Sequence, residues 1–171
     1  MGAPLEMERK FLIRMPDPAC LSGAERWDIV QTYLNPKGDE GSRRVRRAAC
    51  GDSVRFTHTA KTRLTAVTCV EEETTLTLPD YEACLREARE DSLPVAKTRY
   101  RIPHAGRILE IDIYPFWQDT AVLEVELASE DEALSLPAWV EVLREVTAEK
   151  LYKNTTIAKW LKKYPDTPLP I

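Results

Sequence analysis

Charge alternates with hydrophobicity at a period of two, in segment after segment of this chain. In Leu5-Glu6-Met7-Glu8-Arg9-Lys10-Phe11-Leu12-Ile13, the residues Glu6, Glu8 and Lys10 hold every second position. Residues two apart in a β-strand leave the same face, roughly 6.5–7 Å from one another. One face therefore carries two carboxylates and an ammonium, and the other carries Met7, Phe11 and Ile13. The layout recurs in Arg44-Val45-Arg46, Lys97-Thr98-Arg99-Tyr100-Arg101, Glu110-Ile111-Asp112 and Glu124-Val125-Glu126. A chain written this way folds as sheet, with one face apolar and the other charged.

The predicted strands are Leu5–Ile13, Ile29–Leu34, Ser42–Ala48, Val54–Thr62, Val70–Leu78, Val95–Ile102, Ile108–Tyr114 and Ala121–Ala128. Turn residues such as Asn35-Pro36-Lys37-Gly38, Gly51-Asp52 and His104-Ala105-Gly106 separate them. The spacing suits an antiparallel meander, and eight strands suffice to close a barrel. Asp80 is expected to cap a helix through about Glu90, with Tyr81, Cys84, Leu85 and Ala88 on one face. Ser135, with Pro137 early in the first turn, is expected to open a helix through Leu143. Asn154 or Thr155 opens the last helix, whose stripe Ile157, Trp160, Leu161 and Tyr164 should pack on the barrel. Lys159, Lys162 and Lys163 fall mostly off that stripe, where cations suit the end of the helix dipole. Pro165–Ile171 reads as a frayed, flexible tail. The expected architecture is α+β: one domain over residues 1–171, a closed eight-stranded antiparallel β-barrel with a charged interior, flanked by helices.

Composition excludes several classes. At 30% charged and 43% hydrophobic residues the chain reads as globular rather than disordered. A net charge of −4 offers no general attraction for nucleic acid, so any anion must be drawn in locally. No apolar run approaches the ~18–20 residues of a membrane span, and no signal-peptide core opens the chain. Met1-Gly2 fails as a myristoylation site because position 6 is Glu. Cys20, Cys50, Cys69 and Cys84 are scattered without a C-x-x-C pair, which favours reduced thiols in a cytoplasmic protein over a zinc or disulfide framework. No nucleic-acid or membrane partner is expected, and a homodimer stays open.

Two arrangements share the alternating pattern. A half-buried antiparallel sheet also turns its charges outward. Like charges cluster within strands, however, and neighbouring like charges destabilise a solvated sheet. The charged positions also lack the Thr, Ser, Gln and Asn mixture of exposed strands. Finally, the opposite faces (Leu109, Ile111, Ile113; Leu123, Val125, Leu127) are strongly apolar and require cover. These features favour a barrel whose charges point inward, paired, hydrated and matched to a ligand. Carboxylates suit Mg²⁺ or Mn²⁺, and Lys and Arg suit phosphate oxygens. A linear polyphosphate with metal is the simplest charge-balanced filling.

Glu6-x-Glu8-x-Lys10 resembles the N-terminal signature of the CYTH superfamily, the triphosphate tunnel metalloenzymes. Gln31-Thr32-Tyr33-Leu34, Arg44-Val45-Arg46, Thr59-Ala60-Lys61, Lys97-Thr98-Arg99-Tyr100, Glu110-Ile111-Asp112 and Glu124-Val125-Glu126 follow in the family's order. So do Glu145-Val146-Thr147 and Tyr152-Lys153-Asn154. The resemblance implies an eight-stranded tunnel, a divalent metal (Mg²⁺ or Mn²⁺, in a two-metal site) and a substrate bearing a linear triphosphate. It places Lys10, Arg44, Arg46, Lys61, Lys97 and Arg99 on phosphate oxygens, with Lys10, Arg44, Lys61 and Glu73 at the reacting centre. Glu6, Glu8, Glu124 and Glu126 would hold the first metal. Glu110, Asp112, Glu71 and Arg101 would be supporting tunnel charges, Arg101 at the mouth. Val70-Glu71-Glu72-Glu73-Thr74-Thr75 departs from the family's Arg followed by alternating acids; strand parity points Glu73 inward together with Glu71, and Glu73 is the choice for the second metal. The expected reaction is hydrolysis of inorganic triphosphate. Alternatives within the resemblance are a class IV-type adenylate cyclase, a thiamine or nucleoside triphosphatase, and a non-catalytic polyphosphate-binding module.

Overall fold

A computed structural model of the chain describes residues 5–38, 41–129 and 131–171, so the Met1-Gly2 reading lies outside it. Eight strands form the barrel: β1 Leu5–Arg14, β2 Glu25–Leu34, β3 Ser42–Cys50, β4 Ser53–Arg63, β5 Thr68–Leu76, β6 Val95–His104, β7 Arg107–Ile113 and β8 Thr120–Glu126. Their order around it is β1-β8-β7-β6-β2-β3-β4-β5, and β5 returns to β1, with every pair antiparallel. A ninth strand, β9 Val142–Glu145, lies outside the ring. β5 pairs only with Leu5, Glu6 and Met7 of β1, and β9 takes up the same edge at Phe11, Leu12 and Ile13.

Register brings the alternating charges onto one face. Lys10 opposes Glu124, Glu124 opposes Glu110, and Glu110 opposes Arg101. On the far side Arg44 opposes Thr59, Lys61 opposes Glu71, and Glu6 opposes Cys69. Directly opposed residues project from the same face of a sheet, so these side chains all turn inward.

The outward faces are apolar and covered. Phe11, Ile13, Leu109, Ile111, Leu123 and Val125 are buried beneath Leu134, Leu136, Trp139 and Val140. On the opposite wall Leu34, Val45 and Tyr81 pack with Phe56, Leu76, Cys84 and Leu85, which places helix α1 (Leu78–Leu85) over β2, β3 and β4. Helix α2 (Asn154–Lys163) does a different job. Its Ile157 and Ala158 pack with Leu12, Tyr33, Val95, Tyr114 and Val122, at one end of the barrel. The interior thus turns from charged to apolar at the end that α2 closes.

Several expectations are corrected. Ser135–Leu143 forms no helix. Its apolar residues cover the outer wall as irregular chain, and β9 follows because the edge of β1 beyond Met7 is open for pairing. The fifth strand begins at Thr68 and ends at Leu76, so Leu78 is the first residue of α1 rather than the end of a strand. Thr77, not Asp80, caps α1, its hydroxyl accepting from the Asp80 amide and donating to Asp80 Oδ2 at 2.6 Å. That helix ends at Leu85, after which Ala88 bridges to Leu34. The tail is docked rather than frayed. Leu169 is buried in the α2 core, Trp117 Nε1 donates to its carbonyl at 2.8 Å, and Tyr152 Oη donates to the Pro170 carbonyl at 3.1 Å. An apolar side chain that covers indole and phenol rings gains more than a solvated tail retains in entropy. No helix is long and apolar enough to cross a membrane.

Candidate functional site

A cavity of about 720 Å³ occupies the barrel. Every barrel strand contributes to its wall, and the N-terminus of α2 adds Lys153, Asn154 and Thr155. The wall carries the acids Glu6, Glu8, Glu71, Glu110, Glu124 and Glu126. It carries the bases Lys10, Arg44, Arg46, Lys61, Lys97 and Arg99, with Arg63, Arg101, Arg107 and Lys153 further along it. Cations therefore outnumber carboxylates inside a chain whose net charge is negative, which makes the cavity a local sink for anions.

Most of these charges neutralise one another. Lys10 Nζ lies 2.7 Å from Glu124 Oε1. Arg99 grips Asp112 with two nitrogens at 2.6 and 2.7 Å, reaches Glu124 at 2.6 Å and also pairs with Glu110. Lys97 pairs with the other side of the fully buried Asp112. Lys61 Nζ sits 2.5 Å from Glu6, 3.1 Å from Glu71 and 3.8 Å from Glu8. Burial penalises the charged form of each group, and the partners decide the outcome. Burial works against the Glu124 carboxylate, yet Lys10, Arg99 and Lys97 hold it well below the usual carboxylate range. Burial likewise works against the Lys61 ammonium, but Glu8, Glu71 and Glu6 raise it and keep it protonated. Glu6 moves up, through burial and the nearby Glu71 and Glu8, against the pull of Lys61.

Arg46, Arg63 and Lys153, among the described residues, line the cavity without a carboxylate partner, Arg63 donating to the Ala66 carbonyl at 2.7 Å. Among the described residues Arg46 makes no ion pair, and its buried Nε has no hydrogen-bond partner. Burial and repulsion from Arg44 and Arg99 push its guanidinium down to about 10. Lys153 also stands unpaired at the end of the cavity beside α2, pushed down by burial and by Arg63, Lys150 and Lys10. Lys97 falls to about 8, through burial and the adjacent Arg99, despite Asp112. An unpaired, desolvated guanidinium aimed into a cavity is a site short of an anion.

No family model matches the chain, and no curated protein matches it either. Solved structures do. The inorganic triphosphatase NE1496 is 28% identical, with a TM-score of 0.55, covering 90% of this chain and 97% of its own. PH1819 from Pyrococcus horikoshii has a TM-score of 0.54 at 20% identity, over 74% of this chain and 81% of its own. A candidate adenylate cyclase from Bacillus halodurans, bh2851, has a TM-score of 0.51 at 16% identity, over 100% of this chain and 95% of its own. These last two are alike in fold alone. The closed barrel and inward charges go together with the NE1496 match over nearly both full lengths. The fold is consistent with the CYTH superfamily.

The barrel brings Lys10, Arg44, Arg46, Lys61, Lys97, Arg99, Glu6, Glu8, Glu110, Glu124 and Glu126 to one cavity. Asp112 stands behind the wall, fully buried, as the shared partner of Lys97 and Arg99. Glu126 is exposed at the edge, and Arg101 is held there by Glu25 and Glu110. Glu71 and Glu73, the two acids weighed for a second metal, take different positions. Glu71 lines the cavity against Arg44 and Lys61, while Glu73 is exposed and accepts from Thr59 Oγ1 at 3.1 Å. Both share the inner face, as parity requires, but Glu73 lies further along β5, beyond the enclosed part of the barrel. Sequence reading missed Arg63, Arg107 and Lys153 on the wall. Lys153 follows Tyr152 in an ordered motif, which was the available signal. Nothing in the alternation marks Arg107 in the β6–β7 hairpin.

Proposed function

We propose that this protein hydrolyses inorganic triphosphate to pyrophosphate and orthophosphate with the help of a divalent metal. The observation that carries this reading is the chemistry of the wall. It is dense in cations, and Tyr33 is the one aromatic residue among its lining. Among the described residues a nucleobase or thiazolium ring would meet only that largely buried tyrosine, whereas a bare triphosphate asks only for cations and hydrogen-bond donors.

Arg46 and Lys153, which have no carboxylate to give up, are the first anchors. Arg44, Lys97 and Arg99 add further donors from β3 and β6, and the arginines can engage phosphate oxygens two at a time. Lys10 and Lys61 engage the anion by exchanging a carboxylate for a phosphate oxygen. That exchange releases the oxygens of Glu124 and of Glu6 and Glu8, so anion and cation binding support each other. The donor set fits a hard cation: ammonium groups already fill the positions beside Glu6, Glu8 and Glu124. Glu6, Glu8, Glu124 and Glu126 would hold Mg²⁺ or Mn²⁺, with Glu71 beside Glu6 on the neighbouring strand. Bound there, the metal would supply charge neutralisation and activation of the attacking water. The protein's own part is to hold the chain extended, fix the terminal phosphorus and surround the developing charge with preset donors.

The test is a product-resolved panel of tripolyphosphate, ATP and thiamine triphosphate with each metal. Release of orthophosphate from tripolyphosphate should far exceed that from the other two. Equal or faster turnover of ATP, or formation of cyclic AMP, would overturn the substrate assignment.

A further inference from the structure

Glu6, Glu71 and Cys69 converge where β1 meets β5, with one ligand atom of each within 4.8 Å of the others. Glu6 and Cys69 are directly opposed across the two strands, and Glu71 is the next inward residue along β5. We propose that these three side chains form a binding site for a thiophilic divalent cation such as Zn²⁺, chemically distinct from an all-carboxylate Mg²⁺ position.

The geometry suits such an ion. Cys69 Sγ lies 3.3 Å from Glu6 Oε2. Ligands at the Zn–S and Zn–O bond lengths, set at a tetrahedral angle, stand roughly 3.5 Å apart. All three residues sit on paired strands, which hold ligand positions better than a loop does. Cys69 is itself buried, but Glu6 and Glu71 line the cavity and give an ion its entry path.

A cation already seeks the place. Lys61 Nζ lies 2.5 Å from Glu6 Oε2 and 3.1 Å from Glu71 Oε2. On metal binding a bond forms from Cys69 Sγ to the ion, and the thiol proton leaves to water. Two carboxylates and a thiolate then face a dication and the displaced ammonium, so the formal charges cancel. Mg²⁺ gains little from sulfur, whereas Zn²⁺, Co²⁺ and Cd²⁺ gain a soft ligand.

The experiment is a Co²⁺ titration of the full chain without any triphosphate, followed by Zn²⁺ displacement. One equivalent of Co²⁺ should produce a thiolate-to-metal absorption band that Zn²⁺ removes and Mg²⁺ does not. Cys69→Ser should abolish the band and weaken Zn²⁺ binding by roughly 10-fold or more. A Cys20→Ser/Cys50→Ser/Cys84→Ser variant should retain it. A band that persists in Cys69→Ser, or no band in the wild-type protein, refutes the site. Should Cys69→Ser misfold by circular dichroism, Glu71→Gln provides the same test, with loss of the one-equivalent stoichiometry expected and its retention overturning the site. The readout is metal absorption in the absence of substrate, so its failure is separate from failure of the proposed hydrolysis.

Discussion

Lys10 Nζ lies 2.7 Å from Glu124 Oε1 across the β1–β8 ladder, where the two residues are directly opposed. Each side chain is only 11% exposed. The pair joins two strands inside the barrel rather than on its skin, and it couples an inward cation to an inward carboxylate. Removing the ammonium would leave Glu124 desolvated, with Arg99 as its remaining direct partner and Lys97 nearby. Lys10→Ala is therefore expected to lower unfolding free energy by about 3 kcal/mol, read from a urea titration. Hydrolysis of tripolyphosphate should fall by about 100-fold or more.

Arg46 predicts the opposite for stability. It adds a third positive charge beside Arg44 and Arg99 without a carboxylate of its own. Replacing it by Met should leave the fold as stable or raise its stability, by on the order of 1 kcal/mol. Tripolyphosphate binding by calorimetry should weaken in the same variant. A marked loss of stability would show that Arg46 has a structural partner after all.

Lys97 gives a signed pH dependence. Its folded value is about 8, below the ordinary 10.5, because burial and Arg99 disfavour its charge. Below about 8 both folded and unfolded states hold the proton, and the penalty is full. Between about 8 and 10.5 the unfolded chain binds more protons, so this group's contribution to stability rises with pH. The difference in unfolding free energy, wild type minus Lys97→Met, should increase across that window by an amount on the order of 1–3 kcal/mol. A flat or falling difference contradicts the assignment.

Gly41 tests the packing of the cavity's edge. A Cβ built there would stand 2.2 Å from the carbonyl oxygen of Lys61. That atom is backbone and cannot rotate away, so β4 must shift. Gly41→Ala should cost about 1–3 kcal/mol and displace Lys61 from Glu6 and Glu71, with a matching loss of hydrolysis.

The docked tail supplies the last test. Leu169 is 2% exposed among Tyr152, Trp117 and Ile157, and its carbonyl accepts from the Trp117 indole. Leu169→Ala should destabilise by about 2–4 kcal/mol and red-shift the tryptophan emission. An unchanged melting temperature would mean that the tail does not hold α2 in place.

Much of the site was legible because the side-chain period of a strand is fixed. Once Glu6, Glu8 and Lys10 alternate with Met7 and Phe11, their common face follows from backbone geometry, and the same holds for Arg44 with Arg46, Lys97 with Arg99 and Glu110 with Asp112. The apolar opposite faces then required cover, and the barrel supplies it. Position along a strand was less legible than face. Glu71 and Glu73 are indistinguishable by parity, and only the stagger of β5 against β1 puts Glu71 in the enclosed part.

The sequence alone determined the direction of the charged side chains, the antiparallel sheet and the mixed-charge character of the interior, since each depends on local periodicity and charge. Tertiary structure decided the rest. β9 exists because β5 leaves an edge of β1 unpaired, and the tail is ordered because aromatic rings await it. Cys69 meets Glu6 and Glu71 because two strands far apart in sequence close the barrel there. Such contacts are set by which surfaces remain open after the strands pair, and no local pattern encodes that.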